Sequence, residues 1–266
     1  MALIGFIGMG NMGYAMLKGT LGLYAKDQLL FTDVNDDKRK EVKDKTGVDY
    51  VLDNASLVNA CKYIVLAIKP QYLSAVLADI KGTVTEEQVM ISILPGVATT
   101  DIGDVLGKNI KIVRAMPNTP ALVGEGMSGV CFSEHTFTQE EKQLILNFFG
   151  SFGKYEVVEE RLMNAVVCAC GSSPAYVYMF IEALADSAVK YGIPRDKAYT
   201  FAAQTVYGSA KMVLETMEHP GVLKDQVCSP GGTTIAAVSA LEEHGFRNAI
   251  IKAADSCYEK ATSFKK

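Results

Sequence analysis

The sequence predicts an α/β protein in two parts. A doubly wound, largely parallel sheet is expected over residues 1–160, and an all-helical part that pairs with a second copy over residues 161–266. Three observations carry this. A glycine-rich turn sits between an apolar strand and a helix at the start of the chain. Short apolar runs then alternate with amphipathic segments as far as Glu159. Beyond that residue strand signals vanish and long helical segments follow.

The first element is the apolar run at residues 3–7, interrupted by Gly5 and ending in Gly8-Met9-Gly10-Asn11-Met12-Gly13, with a helix-like stretch at 14–21 directly behind it. Strand, then G-x-G-x-x-G, then helix is the context of the dinucleotide fingerprint. In that pattern Gly8 makes the tight turn, Gly10 lets a pyrophosphate approach the backbone, and Gly13 allows helix and strand to pack closely. A second strand at 29–32 ends at Asp33, twenty residues beyond Gly13, where a carboxylate meets ribose hydroxyls. Asp33 favours NAD, because it repels a 2′-phosphate. Asn35, Lys38 and Arg39 stand close enough in sequence to receive one, although the basic residues from Lys38 to Lys45 also read as a solvated helix face. The expected cofactor is therefore a nicotinamide dinucleotide, NADPH or NADH, with NAD favoured by Asp33.

Further strands are expected at 63–67, 89–93, 111–115, 129–132 and 154–158, separated by amphipathic helices such as 36–45 and 71–80. Several are continuous apolar runs, as strands covered on both faces require. The second part reads as helices at 161–169, 174–191, 195–218, 233–244 and 246–263, with Pro174, Pro194 and Pro230 near starts and Gly192 and Gly245 near ends. The helix from Pro174 is apolar or small around most of its circumference and must be covered on all sides. A half-chain of this size offers few places to do that alone, so packing against a second subunit is expected; one central core helix is the alternative.

Composition removes several function classes. A net charge of −4 without a basic block argues against nucleic acid as a partner. The six cysteines form no C-x-x-C pair and no metal-type spacing with the three histidines, so no metal is expected and the thiols are read as reduced. Residues 1–12 lack a basic leader and belong to the fingerprint rather than to a signal peptide. No charge-free apolar run of about 18 residues suggests a membrane span, and a cytoplasmic protein is expected.

The most telling segment near the C-terminus is Cys228-Ser229-Pro230-Gly231-Gly232-Thr233-Thr234, which runs into a helix. A Pro-Gly-Gly turn leaves backbone N–H groups unobstructed at a helix N-terminus, which suits a small carboxylate. It also reads as an ordinary helix start, with Ser229 or Thr233 as N-cap.

With both ends in view, the chain resembles the pyrroline-5-carboxylate reductases over essentially its full length. The carriers are the fingerprint itself, Ala67-Ile68-Lys69-Pro70-Gln71, Arg114-Ala115-Met116-Pro117-Asn118-Thr119-Pro120, Val123-Gly124-Glu125-Gly126, Pro174-Ala175-Tyr176, Glu182-Ala183-Leu184-Ala185-Asp186, Ala202-Ala203-Gln204-Thr205 and the C-terminal loop. The resemblance implies an N-terminal Rossmann domain, an interlocked helical dimerisation domain, and NAD(P)H-dependent reduction of a cyclic imino acid to proline. It implies cofactor contacts at Gly8, Asn11, Met12, Asn54, Ala67, Lys69 and Pro70, with Ile68 and Asn118 in the same motifs. It also implies a substrate site at Gly231, Gly232, Thr233 and Thr234, with the Thr234 hydroxyl at the ring nitrogen as the catalytic contact. Three positions depart from the family pattern. Ser173 stands at a usual glycine, where a Cβ matters if φ is positive; Asn164 replaces a common acid, and Pro95 a small residue.

Missing residues narrow the chemistry. Ketone reduction needs a proton donor, and β-hydroxyacid dehydrogenases of similar outline carry a lysine on the helix that begins the second domain. Here residues 174–181 offer no ionisable group but tyrosines. A protonated cyclic imine needs no donor, because its carbon is already electrophilic. Another imine reductase, a β-hydroxyacid dehydrogenase, or a non-catalytic dinucleotide-binding regulator remain the other readings. His135, His219 and His244 read as loop or surface residues, and Tyr176 as either pocket or core.

Overall fold

The computed structural model describes residues 2–135 and 137–263. Eight strands form one sheet: β1 (Ala2–Ile7), β2 (Leu29–Thr32), β3 (Asp49–Tyr50), β4 (Cys61–Leu66), β5 (Val89–Ser92), β6 (Lys111–Met116), β7 (Gly126–Phe132) and β8 (Gly153–Val157). Their spatial order is β3-β2-β1-β4-β5-β6-β7-β8. Every neighbouring pair is parallel except β6–β7, in which Val113 faces Phe132 and Met116 faces Gly129. The order reverses direction between β1 and β4, and that switch point opens the crevice in which such sheets bind ligands.

The alternation of side chains fills both faces. Phe6, Tyr63, Val65, Ile91 and Val113 enter one core cluster, while Ile7, Ile64, Leu66, Met90 and Ile112 enter the other. On the first face Phe148, Phe149 and Phe152 pack edge to face at 5.0–5.8 Å and Phe6 meets Phe148 at 6.0 Å. Each such fully buried ring contributes about 1.5–3 kcal/mol from apolar burial. The helices over this sheet are α1 (Asn11–Thr20), α2 (Asp36–Thr46), α3 (Asn54–Ala60), α4 (Leu73–Ile80), α5 (Thr99–Leu106) and α6 (Gln139–Gly150). Capping sets several of their starts: Asn35 accepts from the Lys38 N–H at 3.0 Å, and Thr138 and Glu141 form a reciprocal capping box.

After a 3-10 turn at Glu160–Leu162, α7 (Met163–Val166) passes into a π turn at Val167–Gly171 and then α8 (Ser173–Lys190). The expected plain helix at 161–169 is thus divided; the Ser172 N–H reaches back five residues to the Val167 carbonyl at 2.8 Å. Glu160–Lys190 is long and apolar enough to cross a membrane by length and composition, with 11% of its most apolar window buried. The polar Asn164, Ser172 and Ser173 and the Pro174 break had concealed this in the sequence. Next come α9 (Arg195–Thr216), α10 (Pro220–Val227), α11 (Thr233–Glu243) and α12 (Phe246–Ser263).

Two compact units result: residues 1–172 with the returning segment from Cys257, and Ser173–Ser256. In the second unit the buried residues among those described are Ala185, Ala198 and Ala202, where α8 and α9 pack closely through small side chains. Large apolar residues there are open to solvent, with Met179 at 69%, Phe201 at 61% and Leu214 at 70% exposure. A unit whose core is three alanines has not closed its own apolar surface.

Candidate active site

The crevice at the carboxyl ends of β1, β2 and β4 has a volume of about 550 Å³ and gathers Gly8, Gly10, Asp33, Asn54, Ala67, Ile68 and Lys69. Its floor is set by backbone bonds across the switch point: Gly8 N–H donates to Thr32 at 2.9 Å and Ala67 N–H donates to Ile7 at 2.9 Å. Gly8 has φ +98°, and a Cβ there would lie 2.7 Å from the Ala67 carbonyl oxygen. A Cβ on Gly13 would lie 2.1 Å from the Gly8 carbonyl oxygen. The glycine turn and α1 therefore touch backbone to backbone. Gly10 differs, since a Cβ there meets nothing within 4 Å. The room beside it is open to the crevice.

Gly10 is also the N-cap of α1, without a side-chain capping bond and with no acidic residue in the first turn. The first N–H groups of α1 therefore have no intrahelical partner and favour an anion. Asp33 lies at the end of β2 with its carboxylate already ordered: one oxygen accepts from the Met9 N–H at 2.7 Å and the other from the Asn35 N–H at 2.9 Å. An open cradle at Gly10, uncapped amides and an oriented carboxylate fit a dinucleotide. Asn54 borders the crevice while donating to Asp79 at 2.9 Å, and Pro70 starts the 3-10 turn Pro70–Tyr72 behind Lys69.

Other expected contacts sit differently. Asn11 and Met12 occupy the first turn of α1 outside the crevice lining, and the Met12 side chain packs on the sheet core. Asn118 is 9% exposed and braces the backbone: its carbonyl accepts from the Met127 N–H at 2.8 Å and its amide donates to the Cys170 carbonyl at 3.0 Å. Arg39, considered for a 2′-phosphate, is buried, bonded to the Asp33 carbonyl and Asp36, and stacked 5.7 Å from the Tyr50 ring centroid. Asn35 caps α2 and Lys38 pairs with Glu41 at 3.0 Å. The sequence reading missed Thr32, Val34, Tyr72 and Asp79 along the crevice. The last two follow Lys69-Pro70 on one helical segment, and that spacing was the available signal.

In the second unit, the Gly232 N–H donates to the Ser229 carbonyl at 3.0 Å, and Gly231 takes φ +67°. The N-cap of α11 is Gly232, with no side-chain capping bond. Neither Ser229 nor Thr233 caps the helix, so the N–H groups of Thr233, Thr234 and Ile235 are the ones left without intrahelical acceptors. The Gly232 amide, expected to join them, is used by the turn. A Cβ on Gly232 would lie 2.5 Å from the Ser229 hydroxyl oxygen and 3.1 Å from its carbonyl oxygen, so a side chain there requires the Ser229 hydroxyl to turn away.

A buried network beyond the sheet was not foreseen. Arg114 bonds Glu160 and Asn164, each at 3.3 Å, and Glu160 accepts from both the Thr99 N–H and its hydroxyl at 2.7 Å. Burial pushes the Glu160 carboxyl up, but these Thr99 and Arg114 contacts outweigh it and hold the group below its ordinary range. Asn164, where an acid is common in the resembled family, thus meets an arginine whose carboxylate partner is Glu160. Ser173 starts a right-handed helix, and Met217 is the non-glycine residue with positive φ among those described, so a glycine at 173 is not required by backbone geometry. Pro95 precedes Gly96 at φ +75°, a pairing that suits a tight turn. The histidines lie at element ends: His219 caps α10 by accepting from the Gly221 N–H at 3.1 Å, His244 follows α11, and His135 bonds Ser133 at 3.1 Å. Tyr176 is half-buried in α8.

The chain is 47% identical to the pyrroline-5-carboxylate reductase of Escherichia coli (strain K12), covering 99% of this chain and 98% of that one. It belongs to the pyrroline-5-carboxylate reductase family. The family model for pyrroline-5-carboxylate reductase dimerisation matches residues 160–264, and that for NADP oxidoreductase, coenzyme F420-dependent, matches residues 3–96. The reductase of Methanosarcina acetivorans is 42% identical over 96% of this chain and 97% of its own. The solved structure of the Plasmodium falciparum reductase, with NADP bound, superposes with a TM-score of 0.90 at 32% identity, covering 100% of this chain and 98% of that one.

Proposed function

We infer that this reductase converts L-1-pyrroline-5-carboxylate to L-proline, the last step of proline synthesis. The observation that carries the reading is full-length identity of 47% to a reductase of that name, with the glycine turn and the Ser-Pro-Gly-Gly-Thr-Thr loop both intact. The matched NADP oxidoreductase family and the NADP in the Plasmodium relative favour NADPH over the NAD suggested by Asp33. Residues 1–160 hold the dinucleotide, and residues 161–266 bind substrate and dimerise.

When bound, the reduced nicotinamide supplies hydride from its C4. The chain's own residues bind and orient. Gly8, Gly10, Asn11, Met12 and Gly13 offer the turn and helix N-terminus to the pyrophosphate. Asp33, already fixed by the Met9 and Asn35 amides, faces the ribose, and Asn54, Ala67, Ile68, Lys69 and Pro70 border the rest; Asn118 braces the segment behind them. The Thr233 and Thr234 amides, with Ile235 in place of Gly232, hold the substrate carboxylate across the Gly231-Gly232 turn. The Thr234 hydroxyl contacts the ring nitrogen. Hydride adds to the imine carbon and the C=N electron pair passes to the already protonated nitrogen. No side-chain acid is required, in keeping with the absence of one on residues 174–181.

The enzyme acts as a soluble cytoplasmic homodimer, and the apolar sides of α8, α9 and α12 are covered by a second copy rather than by lipid. The matched dimerisation family over residues 160–264 supports the homodimer. The test is oxidation of NADPH and NADH with pyrroline-5-carboxylate, beside Thr234→Ala. Losing that contact costs about 1–3 kcal/mol, or roughly 5- to 150-fold in kcat/KM. Unchanged kcat/KM in the variant would remove Thr234 from the reaction, and absent turnover with both cofactors would overturn the substrate.

A further inference from the structure

We propose that Cys168 and Cys257 form a reversible redox pair, closing a disulfide when the protein meets a low-molecular-weight disulfide such as oxidised glutathione. The two thiols, far apart in sequence, come close enough in the fold to interact. Cys257 also donates to the Ser172 hydroxyl at 3.3 Å, and Cys168 donates to the Asn164 carbonyl at 3.3 Å. Cys257 packs against Met116, Cys131, Met163, Val167 and Ala261, a small sulfur-rich apolar cluster whose Val167 immediately precedes Cys168. No group of metal-binding side chains occurs among the described residues, so a metal does not explain the cluster. The nearby thiols are directed elsewhere, Cys131 to the Phe132 carbonyl at 3.6 Å and Cys170 to the Val166 carbonyl at 3.4 Å.

The pair's place in the chain gives the bond its consequence. The first unit ends at Ser172 and resumes at Cys257, so a Cys168–Cys257 bond encloses all of Ser173–Ser256 in one covalent loop. A crosslink of that span restricts the unfolded ensemble more than the folded one and stabilises the protein. The chemistry is ordinary exchange. The thiolate of half-buried Cys257 attacks one sulfur of the small disulfide, forming a mixed disulfide and releasing one thiolate, which takes up the proton lost by Cys257. Cys168, after losing its proton, attacks the Cys257 sulfur; the protein disulfide forms and the second small thiolate leaves and takes up that proton. Two protein thiols are oxidised and one small disulfide is reduced to two thiols. Burial pushes the Cys168 thiol up to about 11, so closure is the slow step and accelerates as pH rises.

The experiment incubates wild type, Cys168→Ser, Cys257→Ser and Cys228→Ser with oxidised glutathione, followed by alkylation, intact mass and peptide mapping. Wild type and Cys228→Ser should lose two alkylatable thiols, about 2 Da in mass, yield a crosslinked peptide joining Cys168 to Cys257, gain in Tm, and revert with dithiothreitol. Cys168→Ser should stop at the glutathione adduct on Cys257, and Cys257→Ser should take neither form at this site. Retention of all six thiols in wild type, or a crosslink that joins other cysteines, overturns the proposal, and the wild-type peptide map decides even if a variant folds poorly.

Discussion

Adding one methyl group at Gly10 should leave the fold intact and weaken dinucleotide binding, whereas the same methyl at Gly13 should damage both. A Cβ on Gly10 meets nothing within 4 Å, and its φ of −66° and ψ of −171° are accessible to alanine. Alanine is a poorer N-cap than glycine, by up to about 1 kcal/mol, and it stiffens the unfolded chain by about 0.4–1 kcal/mol. These effects oppose, so the stability of Gly10→Ala should stay within about 1 kcal/mol of wild type. The methyl instead enters the space through which a pyrophosphate reaches the helix. Overfilling a close contact costs about 1–3 kcal/mol, which is roughly a 5- to 150-fold rise in Kd. In Gly13→Ala the new Cβ lies 2.1 Å from the Gly8 carbonyl oxygen and 3.3 Å from the Ala67 Cβ. Helix propensity favours alanine by about 1 kcal/mol, too little to offset a clash with backbone that both strands hold in place. Calorimetric titration with NADPH beside thermal melts separates the cases. Wild-type affinity in Gly10→Ala would refute the placement of the pyrophosphate, and a normally stable Gly13→Ala would refute the close-packing argument.

The remaining predictions rest on other parts of the molecule. NADPH should give the larger kcat/KM, measured by parallel titrations with NADH, and a strong NADH preference would return Asp33 to the deciding role. Glu141 is 4% exposed; burial raises its pKa, but bonds from Lys111 at 2.8 and 2.9 Å and from the Thr138 N–H outweigh this and lower it, as happens at Glu160. A lowered folded pKa means that this stability is present above the unfolded value, about 4.3, and is lost as pH falls through the folded value. Glu141→Gln should therefore cost about 1–3 kcal/mol at neutral pH and flatten the decline of Tm in acid; a parallel decline would show that Glu141 is not responsible. Light scattering should find a dimer at micromolar concentration, and a stable monomer would refute the shared apolar face.

The strands that position the crevice were legible because they are covered on both faces, and their composition reports it. What stayed hidden depends on partners that local sequence does not carry. β3 is only Asp49–Tyr50, without an apolar run, and exists because it pairs beside β2, Leu30 with Asp49 and Phe31 with Tyr50. α10 begins at Pro220-Gly221, two residues that read as a break, yet His219 supplies the cap that lets a helix start there. The bracing bonds of Asn118 were hidden for a related reason. A motif gives a residue's neighbourhood, whereas Met127 and Cys170, the groups that engage its side chain, are brought to it only by the fold.

The two glycine turns show why sequence alone could not weigh their amides. Both precede a helix, and both N-caps are glycines without a side-chain bond, Gly10 for α1 and Gly232 for α11. Ser, Thr, Asp or Asn at Gly10, where a Cβ meets nothing within 4 Å, would satisfy one amide internally and stabilise the helix by about a few tenths of a kcal/mol. α2, α3 and α6 use that device, through Asn35, Asp53 and Thr138. The chain is therefore able to cap helices through side chains, even beside the crevice at α3, although α5 and α9 start at Ala98 and Pro194 without such a bond. At the sites it leaves the first amides to an external anion, a pyrophosphate at one and a carboxylate at the other in the proposed reaction. The lost capping energy is recovered only when ligand binds. Each ligand should then raise Tm by the linkage expected for binding to the folded state alone, and substituting serine for Gly10 should reduce that rise while stabilising the unliganded protein.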